Sequence, residues 1–346
     1  MTRHMVGANS AVFCTIDEHC RLAGQPLDNA GKPRWIATSH EDRDFFMHAQ
    51  FLEVISFSAR RKAAWVVHAE RYYLISVGFS FDGDPEGLTE LELLGGHLTT
   101  VLAELTPAPT ADALQIKNII EASDKNSDSD YQGHDSSLVE ILFPTIRLFN
   151  AAGSTPPWNI FFRIALMECR WTGHWLDKEL LTLLNIIADL DQTRIPYRVL
   201  CRSIFDVDPS SFFLALYRCL EALFAYSSAR DVVVAMKVGH DWSEVASILE
   251  DKLGWFPHED RSLERLLKST VAPELRRISL AIDPKSPIPE ASDIVALAAR
   301  RIYKLRNSIV HYRPSQYDHD LQKYDWVAIC RCMATIVLDV YYDVFP

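Results

Sequence analysis

Residues 122–137, ASDKNSDSDYQGHDSS, are polar and acidic with almost no apolar side chains, and the apolar pattern differs on their two sides. Such a stretch has nothing to bury, so it reads as a linker. Before it, RWIAT (34–38), QFLEVISFS (50–58), AAWVVHA (63–69) and RYYLISVGFSF (71–81) are rich in β-branched and aromatic residues and predict strands. AERY, between the last two, predicts a hairpin turn, and FDGDPEG (81–87) a second turn. A helix is predicted over 88–105, with apolar residues at 88, 91, 94, 98, 101, 102 and 105. Its glycine pair, Gly95–Gly96, weakens it by about 1 kcal/mol per residue relative to alanine. Residues 1–121 are therefore expected to form a strand-rich α+β domain.

From residue 138 the spacing turns helical. SLVEILFPTIRLFNAAG, PPWNIFFRIALMECRW and LDKELLTLLNIIADL follow in turn. DPSSFFLALYRCLEALFAYSSA (208–229) is the clearest helix, with Asp208 or Ser210 as cap and Pro209 in its first turn. DWSEVASILEDKLGW (241–255) carries a capping signature at Ser243 and a terminating Gly254. Helices are also expected over EDRSLERLLKST, over 291–312 and over the apolar 324–345. The fold class expected is α+β: a strand-rich domain over 1–121, a linker over 122–137 and an all-α helical domain over 138–346.

The chain has 48% hydrophobic and 23% charged residues, an ordinary globular balance. A net charge of −11 excludes coating of nucleic acid by bulk charge and leaves room for a local basic site. The seven cysteines are odd in number and contain no CxxC pair, which reads as free thiols in a reducing compartment. Neither Cys330/Cys332 nor Cys14/His19/Cys20 has the spacing of a four-ligand zinc site, so no metal and no cofactor is expected. The N-terminal segment lacks the apolar run of a secretory signal, and no run approaches the roughly 20 apolar residues of a membrane helix. A cytoplasmic protein without a membrane partner is expected.

The segment YKLRNSIVHYRP (303–314) places an arginine, an asparagine and a histidine in an amphipathic helix. On a helical wheel Ile302, Leu305 and Ile309 form an apolar wall, and Arg300, Lys304, Asn307 and His311 form a polar stripe. Arg306 lies between the two sets, roughly 140° from His311. Between 294 and 313 stand Arg300, Arg301, Lys304, Arg306 and Arg313, with no aspartate or glutamate. Such a patch attracts phosphate. Uncompensated charge of this kind also suits a solvated face that pairs with acidic neighbours elsewhere. An arginine followed after four to six residues by histidine also occurs at Arg43/His48, Arg61/His68 and Arg313/His319, without this context.

The Arg306–Asn307–x3–His311 pattern resembles the motif of HEPN domains, compact helical bundles that include many metal-independent ribonucleases of bacterial defence and toxin systems. The wording of 303–314 is similar to the penultimate helix of that family, FFLALYRCLEALF (212–224) resembles an earlier bundle helix, and the apolar last helix fits. The resemblance covers roughly 170–346. It implies a HEPN-like bundle, RNA as substrate, a homodimer through the helical domain with both motifs lining one cleft, and no cofactor. It also implies Arg306, His311 and Asn307 as catalytic residues, with Lys304, Arg300 and Arg313 on the flanking RNA backbone. Members silenced by a nucleotidyltransferase partner have tyrosine two places after the histidine. Here that place is Arg313, and Tyr312 is one place early, which argues against such a partner.

The chemistry implied is attack of a ribose 2′-hydroxyl on the adjacent phosphate. Histidine serves the proton steps near neutral pH, and arginine offers a planar, permanently charged fork to the phosphorane. Glu221, within an apolar helix face, either pairs with Arg306 across the bundle or meets solvent or a lysine. His97 and the His240/Trp242 pair read as structural. The N-terminal domain is expected to sense an unknown trigger and control the nuclease. The competing expectation is a non-catalytic HEPN-like scaffold that dimerises and binds a partner or nucleotide.

Overall fold

The computed structural model describes the chain except for residues 1–3, 29–30, 82, 84, 86, 126–131, 152–156, 173–174, 207, 238, 290–292 and 312–322. The fold is α+β, an antiparallel sheet with its helices followed by helices alone. It divides into two compact units, Met1–Glu168 and Cys169–Pro346.

The first unit runs α1 (Met5–Leu22), α2 (His40–His48), β1 (Gln50–Ser56), β2 (Lys62–His68), β3 (Arg71–Val77), β4 (Leu88–Leu91), α3 (Gly95–Leu105), α4 (Ala113–Lys125), α5 (Ser136–Glu140) and β5 (Ile146–Ala151), then enters α6 (Pro157–Thr172). Its sheet has the order β1-β2-β3-β5-β4, with every neighbour antiparallel. The β2–β3 hairpin turns at Ala69 and Glu70, both left-handed with φ of 47° and 61°. That is the backbone a two-residue hairpin loop needs to match strand twist. Apolar residues of α1, α3 and α4, among them Phe13, Ile16, Leu98, Val101 and Ile116, pack with Ala64, Val66, Ile75 and Leu148 of the sheet in one core.

Four expectations for this half are corrected. The stretch from 138 is not a continuous helix: α5 ends at Glu140, Pro144 follows, and 146–151 forms β5 between β3 and β4. Ile146, Leu148, Phe149 and Ala151 are all buried, so the run suits an inner strand with both sides covered. The stretch 122–137 therefore does not bound the sheet domain. α4 runs on to Lys125, the sheet takes a strand from beyond the polar tract, and the units divide at Glu168/Cys169. RWIAT yields an isolated bridge, Ile36 to His134, in place of a strand.

The expected helix 88–105 is split into β4 and α3, and the glycine pair opens α3. A Cβ on Gly95 would sit 2.0 Å from the carbonyl oxygen of Ala37, and one on Gly96 2.2 Å from that of Asp42. Gly96 N donates to Asp42 Oδ2 at 2.8 Å. The glycines thus permit close backbone approach, which outweighs their low helix propensity.

The second unit is helical: α7 (Lys178–Asp189), α8 (Tyr197–Ser203), α9 (Pro209–Glu221), α10 (Tyr226–Met236), α11 (Trp242–Leu253), α12 (Glu259–Leu266), α13 (Ala272–Ile282), α14 (Ile294–Val310) and α15 (Trp326–Val344). α15 is its axis and packs on α7, α9 and α13. Cys330, Met333, Ile336, Val337 and Tyr341 of α15 are buried, and Tyr341 Oη donates to the Cys219 carbonyl of α9 at 3.1 Å. Asp208 caps α9 through Ser210 N, and Pro209 fills its first turn. The single helix expected over 208–229 is two, because α9 ends at Glu221 and α10 begins at Tyr226. Asp241, not Ser243, caps α11, and Gly254 ends it in the left-handed conformation.

Among the described residues, no helix is long and apolar enough to cross a membrane, and no three His, Cys, Asp or Glu side chains converge as a metal site. All seven cysteines are free thiols.

Candidate functional site

α14 carries the motif. Asp293 caps it by accepting from Val295 N and Ala296 N, and Ala298, Ala299, Ile302 and Leu305 fix its inner face. The helix ends at Val310. His311 leaves with extended backbone, its N–H still donating to the Asn307 carbonyl at 3.0 Å.

Arg306 turns away from His311 and into the bundle, as the wheel requires. Its Nη2 donates to Glu221 Oε1 at 3.1 Å, and its Nη1 donates to Asn307 Oδ1 at 3.0 Å. Nη1 also lies 3.7 Å from Glu259 Oε2 of α12. The guanidinium carbon stands 5.6 Å from the centre of the Tyr217 ring. Tyr217 and Glu221 share one face of α9 at i and i+4, so a single helix supplies both the aromatic face and the carboxylate. The arginine side chain is 18% exposed and that of Glu221 29%. Burial, then the Glu221 and Glu259 carboxylates, push the Tyr217 phenol well above its ordinary range. Its hydroxyl is buried without a hydrogen-bond partner among the described residues.

The structure thus brings Arg306, Asn307 and Glu221 together, and adds Glu259 and Tyr217. His311 is exposed, one turn beyond Asn307, and its ring has no hydrogen bond among the described residues. Arg300 and Lys304 are exposed and make no ion pair among the described residues. Arg301 is a strut: it donates to the carbonyls of Ser279, Asp283 and Ser286, tying the end of α13 and the turn after it to α14. The basic patch read from sequence is therefore smaller in effect, since Arg301 and Arg306 are engaged. Arg313 lies outside the described residues.

Glu221 and Glu259 also line a cavity of about 470 Å3 with Arg194, Phe224, Trp242, Phe256 and Pro257. Arg194 lies over the Trp242 ring at 4.6 Å, so Trp242 is a wall of this cavity as well as a packing residue. His240 pairs with Glu244 at 3.0 Å on the surface. His97 is half-buried against Phe45 and accepts from Leu94 N through Nδ1; burial lowers its pKa. Both sit in ordinary structural surroundings. The carboxylate sequence reasoning missed is Glu259. It stands in the first turn of α12, where acidic residues are common on dipole grounds alone, and no local pattern ties it to Arg306.

Chemically, the cluster holds a permanent cation in a fixed orientation between two carboxylates and an amide, on the helix whose end presents the exposed His311. Comparison with family models, curated proteins and solved structures finds no match for the chain.

Proposed function

We propose that the helical unit is a metal-independent endoribonuclease, with Arg306, Asn307 and His311 as its reacting groups. The observation that carries the reading is the anchored Arg306–Asn307 pair, held by Glu221 one turn before an exposed His311. In the reaction the 2′-oxygen attacks phosphorus, the P–O5′ bond breaks, and the products are a 2′,3′-cyclic phosphate and a 5′-hydroxyl. One imidazole takes the 2′-hydroxyl proton, and a protonated imidazole delivers a proton to O5′. Two copies of the chain facing through the α14 surface supply the two imidazoles, which is the reason for proposing a homodimer. Arg306 shifts from the looser Glu259 contact to the non-bridging phosphate oxygens as charge builds there. Lys304, Arg300 and Arg313 hold the flanking backbone.

The same reading assigns the first unit a controlling role and the whole protein a place in a cytoplasmic defence or toxin-like system. Its test is induced expression of wild type beside Arg306→Ala and His311→Ala, with sequencing of RNA ends that carry 2′,3′-cyclic phosphate. New ends with wild type alone support it. Purified wild type that leaves single-stranded RNA intact in chelator, with soluble dimer present, refutes it. A second reading, a dimerising scaffold that binds a partner or nucleotide, draws on the two carboxylates that already neutralise Arg306. A scaffold keeps its partner in His311→Ala; the nuclease keeps its fold and loses its product.

A further inference from the structure

Away from Arg306, a pocket of about 330 Å3 opens between α8 and α9. Arg198, Val199, Arg202 and Ser203 form one stripe of α8; Ser211, Leu214, Ala215 and Arg218 form one stripe of α9. Ala215 and Ser203 are buried and make the floor, and the small Ala215 side chain leaves the depth. Arg198, Arg202 and Arg218 are exposed at the rim, with Asp206 as the one carboxylate among the lining residues. Among the lining residues three guanidiniums stand with one carboxylate, in a chain with 35 basic and 46 acidic residues. Arg218 makes no ion pair among the described residues.

We propose that this pocket binds the phosphate backbone of single-stranded RNA beside the cleavage site. The proposal rests on the ribonuclease reading. Guanidinium forks suit the paired oxygens of a phosphodiester, and a cleft walled by low-dielectric side chains strengthens that attraction. The volume lies within the roughly 300–1,000 Å3 of small-ligand sites, enough for a nucleotide unit. Position supports the connection: Arg218 precedes Glu221 by one turn of α9, and Glu221 holds Arg306. The sequence reading placed RNA only along α14; this surface adds α8 and the end of α9.

The test uses the full-length chain and a fluorescein-labelled 12-nucleotide RNA that carries 2′-O-methyl groups, so that it cannot be cut by its own 2′-hydroxyl. Anisotropy is read from low to moderate salt for wild type, the triple variant Arg198→Gln/Arg202→Gln/Arg218→Gln, and Arg276→Gln. Arg276 is exposed on α13 and serves as a control for lost surface charge. Loss of three phosphate contacts lowers the slope of log affinity against log salt by about 2 in the triple variant, at about 0.7 per contact for single strands. Affinity falls at least tenfold, whereas Arg276→Gln matches wild type. Circular dichroism shows the variants folded, as exposed rim positions predict. Equal slopes and affinities for the triple variant and wild type overturn the proposal. So does displacement of the oligonucleotide by low-millimolar inorganic phosphate, which assigns the pocket to free phosphate. The nuclease reading fails separately: arginine-dependent binding without cyclic-phosphate product from unmodified RNA sinks that reading and leaves the strand site standing.

Discussion

Arg306→Ala tests whether the cluster is preorganised, before any substrate is known. Arg306 and Glu221 are neither surface residues nor fully buried, at 18% and 29% side-chain exposure and 3.1 Å separation. Exposed pairs couple by about 0.2–1 kcal/mol. Removing one partner of a fully buried pair costs about 3–5 kcal/mol. The intermediate burial places Arg306→Ala at about 2 kcal/mol, because two carboxylates and the Asn307 amide lose their common donor. For a unit of this size that lowers the midpoint by about 4–8 °C. A cycle of Arg306→Ala, Glu221→Ala and the double variant should give a coupling of about 1 kcal/mol. The assay is differential scanning calorimetry, read on the transition of the helical unit, since the chain has two compact units and no single two-state midpoint. A midpoint change under about 1 °C for Arg306→Ala, with coupling indistinguishable from zero, would refute the reasoning: Arg306 would then be a solvated side chain without a fixed direction.

Three further predictions concern the rest of the chain. Gly96→Ala puts a methyl 2.2 Å from the Asp42 carbonyl oxygen, against backbone that cannot swing aside; it should destabilise the first unit by about 3 kcal/mol or more, seen as loss of soluble expression or of the first unit's calorimetric transition. His134 is buried and its pKa is pushed from 6.5 down to about 4, chiefly by burial, so the unfolded chain takes up the proton first. Stability is therefore full above pH 6.5 and falls as pH drops toward 4, by up to about 3 kcal/mol from this residue; urea titrations of wild type against His134→Asn should diverge over that window, and parallel pH profiles would exclude the effect. Cys14 is the exposed thiol and the other six are buried; native protein should release one equivalent of chromophore quickly from a disulfide reagent, and fast reaction of a second thiol would contradict the packing.

The elements most legible in advance were those whose local signals agree. α9 has its cap, its first-turn proline and its apolar spacing in one run, and β2–β3 has two apolar segments around a two-residue turn. The misreadings arose where one signal serves two structures. The run 146–151 is apolar enough for a buried helix or an inner strand, and only the space between β3 and β4 decides for the strand. The glycine pair reads as a weak helix interior, yet it is a helix start pressed against the backbone of Ala37 and Asp42.

At the site the division is similar. Periodicity alone determined that Arg306 and His311 leave α14 in different directions, since five residues of helix turn about 140° past a full turn. It determined the amphipathic face of α14 and the polar stripe that includes Asn307. Only the tertiary structure decided what receives the arginine. The Glu221 contact spans 85 positions, and Glu259 joins from a helix that has no patterned relation to α14. The arginine rim of α8 and α9 likewise becomes a pocket only once two helices pack with Ala215 between them. Helical spacing is a property of the chain's own backbone geometry. The partner of a charge is set by which helices the burial of apolar faces brings together, and that is decided by the whole bundle at once.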